Sequence, residues 1–151
     1  MPKASIKRLI ECKKKDLINL VLDIEKYPEF IPFCYAAKIH KRKEDSNSIK
    51  IIADLTIGKG PFKDTYKSDV LFNRKESKIY VVNLEGPLNH LSNNWIFKEQ
   101  RNITEVTFDI DFEIKNKFLN TMMQASFQFG IDKIADAFQR RAEELFSDTD
   151  N

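Results

Sequence analysis

Residues 105–114, EVTFDIDFEI, alternate without a break. Val106, Phe108, Ile110, Phe112 and Ile114 fall on one side, and Glu105, Thr107, Asp109, Asp111 and Glu113 fall on the other. Successive side chains of a strand point to opposite faces, so this run predicts a strand with one dry face and one wet face, as in a one-sided antiparallel sheet. The same period of two recurs upstream. SIKIIADLTI puts Ile49, Ile51, Ala53, Leu55 and Ile57 together; TYKSDVLF does so with Tyr66, Val70 and Phe72; KIYVVNLEG does so with Tyr80, Val82 and Leu84. Leu91, Trp95 and Phe97 likewise share a side. The turn-forming clusters EDSNS, GKGPF, NRKES, EGPLN and EQRN separate these runs. Residues 35–114 therefore predict a meander of about six strands that give their apolar faces to one interior.

On both sides of this meander the period becomes helical. Residues 4–12 read as a first strand, and KKDLINLVLDIEKY then places Leu17, Leu20, Val21 and Ile24 on one helical face. The prolines of YPEFIPF stop that helix and leave room only for a single short turn or helix, because each lacks an amide donor and restricts its predecessor. From Lys117 to Phe146 a long helix is predicted, with Leu119, Met123, Phe127, Ile131, Ile134, Phe138 and Leu145 in one stripe and Ala142 filling its gap. Its first half carries a second apolar row, Phe118, Met122, Ala125 and Phe129. One stripe suffices for a helix lying on a sheet. Two rows predict apolar contact on two sides: the sheet, and either the Tyr27–Phe33 segment, a ligand, a partner or a membrane.

Strand, helix, short aromatic helix, six-strand meander and long C-terminal helix together describe an α+β helix-grip fold. A curved antiparallel sheet of about seven strands wraps the long helix, with two short helices after the first strand.

Composition sharpens this only a little. The 151 residues are 42% hydrophobic and 32% charged, the balance of one globular domain over residues 1–151 with a sizeable core. No apolar run reaches bilayer length, and the basic start MPKASIKRLIECKKK is broken by charge too often for a signal peptide, so a cytoplasmic protein is expected. A net charge of +2 gives no electrostatic case for DNA. Cys12 and Cys34 lack the spacing of a metal knuckle or a redox pair and read as reduced thiols. His40 and His90 are isolated in sequence, and no metal or cofactor is expected. GKG at 58–60 lacks the length and the ending of a phosphate loop and reads as a hairpin. Its surroundings, Lys59, Phe62, Lys63 and Lys67, combine cations with a ring and predict shallow membrane contact. Asp109, Asp111 and Glu113 lie on the wet face, away from any tunnel, and make no paired acid site.

Four stretches, DIEKYPEFIPFC, EGPLNHLSNNWIF, FDIDFEIKNKF and AFQRRAEELF, in this order and over nearly the whole chain, resemble the coenzyme Q-binding proteins and ribosome-association toxins of the START-like lipid-binding superfamily. The family pattern falls on Tyr27, Pro28, Phe30, Pro32 and Cys34, on Gly86, Pro87, Leu91, Trp95 and Phe97, on Phe112, Asn116 and Lys117, and on Ala137, Phe138, Arg141 and Ala142. It departs where the family carries glycine ahead of Trp95 and this chain reads LSNNW. The resemblance implies a binder of ubiquinone or a related polyprenyl lipid that serves respiration, with peripheral contact at the inner membrane. Its toxin branch implies a ribosome contact that blocks subunit association. Related helix-grip proteins imply a third possibility, a polyketide-type cyclase. That reading requires polar groups inside the tunnel, and only Ser68 and Asn93 fall on inward strand positions.

The expected protein is therefore a non-enzymatic lipid carrier. The expected tunnel wall is Tyr27, Phe30, Phe33, Val70, Phe72, Leu84, Trp95, Phe108, Phe112, Met123 and Phe127. The rings of the YPEFIPFC turn offer large apolar area at low side-chain entropy. Tail burial at about 25 cal/mol per Å² reaches micromolar affinity without a specific polar contact.

Overall fold

The structure, a computed structural model, describes residues 3–58, 60, 61, 63–86 and 88–146; the side chains of residues 119 and 122–126 lie outside that description. Seven antiparallel strands form one sheet: β1 (Lys3–Ile10), β2 (Cys34–Glu44), β3 (Ser48–Ile57), β4 (Asp64–Asn73), β5 (Lys78–Glu85), β6 (Leu88–Gln100) and β7 (Ile103–Ile114). Their order is β1-β7-β6-β5-β4-β3-β2, a meander closed at one edge by the N-terminal strand. Helix α1 (Lys14–Leu22) and a 3-10 helix (Ile24–Glu29) follow β1, and α2 (Lys117–Phe146) ends the fold. This is the expected helix-grip architecture.

Alternation decides which face each strand buries. On β7, Val106, Phe108 and Phe112 are buried, and on β6 Leu91, Trp95 and Phe97 are buried. β3 contributes Ile49, Ile51, Ala53 and Leu55 to the same interior, and β4 contributes Val70 and Phe72. Register shifts in β2, between β4 and β5, and at the start of β6 bend the sheet, as an extra residue in one strand of a pair does.

β5 corrects the sequence reading. The pattern points Tyr80, Val82 and Leu84 inward, yet Leu84 is 47% exposed and Val82 is exposed too, while Ile79 is fully buried. Both phases of this strand carry apolar residues, so its own pattern does not choose between them. The neighbours choose: Ile79 pairs with Phe72 on β4 and Trp95 on β6, and Val81 pairs with Val70 and Asn93. Residues directly opposite in a sheet share a face, so Ile79 and Val81 turn inward with their partners.

The first helix also ends earlier than its pattern predicts. The apolar face continues to Ile24, but α1 stops at Leu22, where Asp23 leaves helical geometry (φ −84°, ψ 64°). The chain then tightens into the 3-10 helix around Pro28. Pro28 lies inside the 3-10 helix and restricts only Tyr27 before it, so it does not account for the break at Asp23. α1 buries Leu17, Ile18, Leu20, Val21 and Leu22 and closes one end of the sheet and helix sandwich. There Thr104 Oγ1 donates to the Cys12 carbonyl at 2.7 Å, and Cys12 Sγ donates to the Ala142 carbonyl at 3.6 Å. The departure at LSNNW produces no turn, since β6 runs unbroken through it.

Candidate functional site

The candidate site is the seam between the inner face of the sheet, the 3-10 helix and α2. Tyr27 and Phe30 project from the 3-10 helix and its C-terminal end onto Phe138 of α2, with ring centroids 5.5 and 5.4 Å from it and near-perpendicular planes. On the other side of Phe138 stands Trp95, 5.0 Å away, which in turn lies 4.5 Å from Phe108. Further along α2, Phe127 packs on Phe112 at 5.1 Å. Edge-to-face geometry adds about 0.5–1.5 kcal/mol per pair to area burial. Two further ties hold the 3-10 helix down. The Tyr27 hydroxyl donates to the Val21 carbonyl. Arg141 donates to Glu29 at 2.8 Å while its guanidinium lies 5.1 Å from the Phe30 ring centre.

Of the expected wall residues, the structure brings Tyr27, Phe30, Trp95 and Phe108 into one ring cluster, and Phe112 and Phe127 into a second. Val70 and Phe72 line the same interior from β4. Leu84 is outside it, because β5 turns the other phase inward. Phe33 is half-buried at the start of β2, has no ring partner among the described residues, and holds an unusual positive φ of 70°. Its carbonyl accepts from the Gly58 amide, which ties it to the β3–β4 turn. Met123 lies outside the described side chains, as do Leu119, Met122 and Ala125; Pro87 and the Lys59 and Phe62 of the expected membrane patch also fall outside the described residues. Lys63, from that patch, sits 3.9 Å over the Tyr35 ring, and Lys67 faces Glu85 at 3.9 Å. Sequence reasoning left Phe138 and Ile79 off the wall. Phe138 stood in the α2 stripe and could have been found there; nothing in β5 alone marked Ile79.

Burial governs the ionisable groups near the seam. It pushes the Tyr27 phenol well up, with Tyr66, Cys34 and Asp23 adding, and pushes the Tyr66 phenol up likewise. It raises the Cys34 thiol to about 11, with a partial offset from its contact with the Ala36 backbone. These groups are neutral at physiological pH, and none is poised for acid–base work. In the unfolded chain the thiol ionises near 9.0, so the stabilisation from keeping it protonated is complete below that value. It is lost as pH rises through about 11. The two tyrosines act in the same direction at higher pH. Between about pH 8 and about pH 10.5 the urea midpoint should fall, and by less in Cys34→Ala.

At the β1 side of the seam, Ile6, Arg8, Ile10, Trp95, Val106, Phe108, Ile134, Ala135 and Phe138 enclose a cavity of about 30 Å³. A wider, open concavity of about 450 Å³ lies on the outer face, lined by Lys3, Ser5, Ser92, Asn94, Asp109 and Asp111. Ser5 donates to Asp109 at 2.5 Å, and Lys3 stands 3.8 Å from Asp111. That groove also takes in Ala4 and Ile110, so its lining mixes polar and apolar groups and lies open to solvent. Among the described residues no group of His, Cys, Asp and Glu is arranged to hold a metal ion.

Residues 13–139 match the family described as "Polyketide cyclase / dehydrase and lipid transport". The chain belongs to this family. Within it, the sequence is 30% identical over 141 residues to the ribosome association toxin RatA of Rickettsia prowazekii, covering 91% of this chain and 94% of that one. It is 32% identical over 137 residues to the mitochondrial coenzyme Q-binding protein of Dictyostelium discoideum, covering 88% of this chain and 65% of that longer protein. The fold matches the solution structure of an 18 kDa protein from Caulobacter crescentus with a TM-score of 0.78 at 25% identity, covering 96% and 98% of the two chains. It also matches the Zhui aromatase/cyclase of a Streptomyces species with a TM-score of 0.74 at 14% identity, covering 95% and 94%. Fold alone therefore does not choose between lipid transport and cyclase chemistry.

Proposed function

We propose that the protein takes up a hydrophobic polyprenyl lipid of the ubiquinone type in the seam under α2 and carries it for respiratory electron transport. The observation that carries this reading is the run of rings, from Tyr27 and Phe30 through Phe138 to Trp95 and Phe108, on a largely apolar sheet face. The Dictyostelium relative, named for coenzyme Q binding, supports the choice of ligand. At the β1 side the seam has room for about one water, so a lipid tail there requires α2 or the 3-10 helix to move outward.

The far end of the sheet from α1 is the natural door. Tyr35, Ile57 and Leu84 are exposed there, Phe118 at the start of α2 is 70% exposed, and Phe33 is half-buried among them. Apolar side chains at that end fit shallow contact with a membrane surface.

Organic extraction of the gently purified protein followed by mass spectrometry tests the reading. A stoichiometric polyprenyl quinone is expected. Phe33→Asp should lower its occupancy at least severalfold while the fold survives, since Phe33 is only half-buried and aspartate tolerates positive φ. An empty extract, with no uptake on titration, would sink the proposal.

One observation favours a second reading. The edge strand β2 exposes Lys38, His40, Lys41, Arg42 and Lys43, a basic strip suited to RNA phosphates, and the Rickettsia relative is named as a ribosome association toxin. Lysine on an edge strand also blocks edge-to-edge aggregation. Co-sedimentation with the large ribosomal subunit, lost in Lys41→Glu/Arg42→Glu/Lys43→Glu, would favour the ribosome.

A further inference from the structure

Three polar side chains are buried among the described residues: Ser68, Asn93 and Thr104. Two of them are satisfied within the fold. Ser68 Oγ donates to the Ala53 carbonyl at 3.3 Å, and Thr104 Oγ1 donates to the Cys12 carbonyl at 2.7 Å. Asn93 is different: it is 9% exposed, and its Oδ1 is buried without a hydrogen-bond partner. The nearby Asn83 on β5 makes the contrast plain. Its side chain donates to the Leu88 carbonyl at 3.3 Å and accepts from the Leu91 amide at 2.9 Å.

The residues flanking Asn93 on its own strand and directly opposite it are apolar. Leu91 and Trp95 flank it on the inner face of β6, and Val81 and Ile110 sit opposite it on β5 and β7. A buried acceptor left without a donor is costly, and an apolar side chain in its place would carry no such cost. Asn93 lies five positions along β6 from Leu88, which pairs with Ile114 at the open end of the sheet. At the rise of a strand that is roughly 16 Å inward. A ligand entering by that door would bring its leading end to Asn93.

We infer that Asn93 is the polar contact for the ligand's head group, accepting a hydrogen bond from a hydroxyl on a ring that enters head first with its tail toward the open end. This rests on the lipid reading above and narrows it: an unmet oxygen acceptor calls for a donor, so the hydroxyl-bearing quinol form is held more tightly than the quinone. The rings around the seam supply affinity without regard to redox state, and Asn93 supplies the discrimination.

Anaerobic calorimetric titration with decylubiquinol and decylubiquinone tests this in the wild type, Asn93→Leu and Asn93→Ala. The wild type should prefer the quinol by roughly five- to tenfold, the worth of one net hydrogen bond. Both variants should bring the ratio close to one, and circular dichroism identifies which of them is folded. A wild-type ratio near one, or a preference that survives in a folded variant, overturns the role of Asn93 and leaves the lipid reading standing. Uptake of neither probe by the wild type overturns both. A melting temperature changed by Asn93→Leu with the preference intact would mark Asn93 as structural only, and also overturns the inference.

Discussion

Phe138→Ala is expected to destabilise the protein by about 3–5 kcal/mol, the range for removing a large buried ring. Phe138 is buried and meets the rings of Tyr27, Phe30 and Trp95 at centroid distances of 5.5, 5.4 and 5.0 Å. Those three rings come from the 3-10 segment and from β6, two elements that cannot close on the space together. The vacated volume also adjoins the cavity of about 30 Å³ already present beside Phe138. Relaxation should therefore be partial, and the loss should appear as a fall in melting temperature of roughly 10 °C or more. Phe129→Ala on the same helix is the control. That ring is 63% exposed, and its removal should shift stability by less than about 0.5 kcal/mol. Equal effects from the two substitutions would mean that Phe138 is not the centre of the seam.

Gly86→Ala should cost about 2–4 kcal/mol, and for a reason that has nothing to do with lost contacts. Gly86 has φ +134°, which side chains rarely adopt, and a Cβ there would lie 2.6 Å from Tyr66 Cβ, 2.8 Å from Tyr66 Cα and 3.1 Å from the Thr65 carbonyl oxygen. The obstacle is the backbone of β4, so no rotamer change relieves it. To make room, β5 must part from β4 beside the open end of the sheet, and lipid uptake should fall together with stability. Gly130→Ala should have the opposite sign. Gly130 stands within α2, and a methyl group on its Cα would meet nothing within 4 Å. Alanine there should add about 0.5–1 kcal/mol through helix propensity. Urea unfolding of both variants checks the pair, and loss of stability in Gly130→Ala together with neutrality in Gly86→Ala would contradict the geometry.

These two glycines show where reading the chain stops. In sequence Gly86 belongs to a turn signal and Gly130 interrupts a helical stripe, so propensity alone treats both as weak points. Only the close approach of the β4 backbone separates them. The seam has the same character. Trp95, Phe108, Phe112 and Phe127 were legible because each lies in an unbroken period, of two or of about 3.6, that fixes its face whatever the partner. Phe138 had the same periodicity, but its meeting with Tyr27 and Phe30 joins segments at opposite ends of the chain.

Local pattern by itself therefore determined the seven strands, the long C-terminal helix and the inward faces of β3, β4, β6 and β7. Steric periodicity acts within a few residues, so it is written in the chain. Tertiary structure decided the rest. It set the phase of β5, where two apolar rows competed and the pairings of Ile79 and Val81 won. It left Asn93 Oδ1 without a donor while satisfying Asn83, Ser68 and Thr104. Which of several similar side chains finds a partner depends on register and packing across strands, and that information exists only once the sheet has closed on its helix.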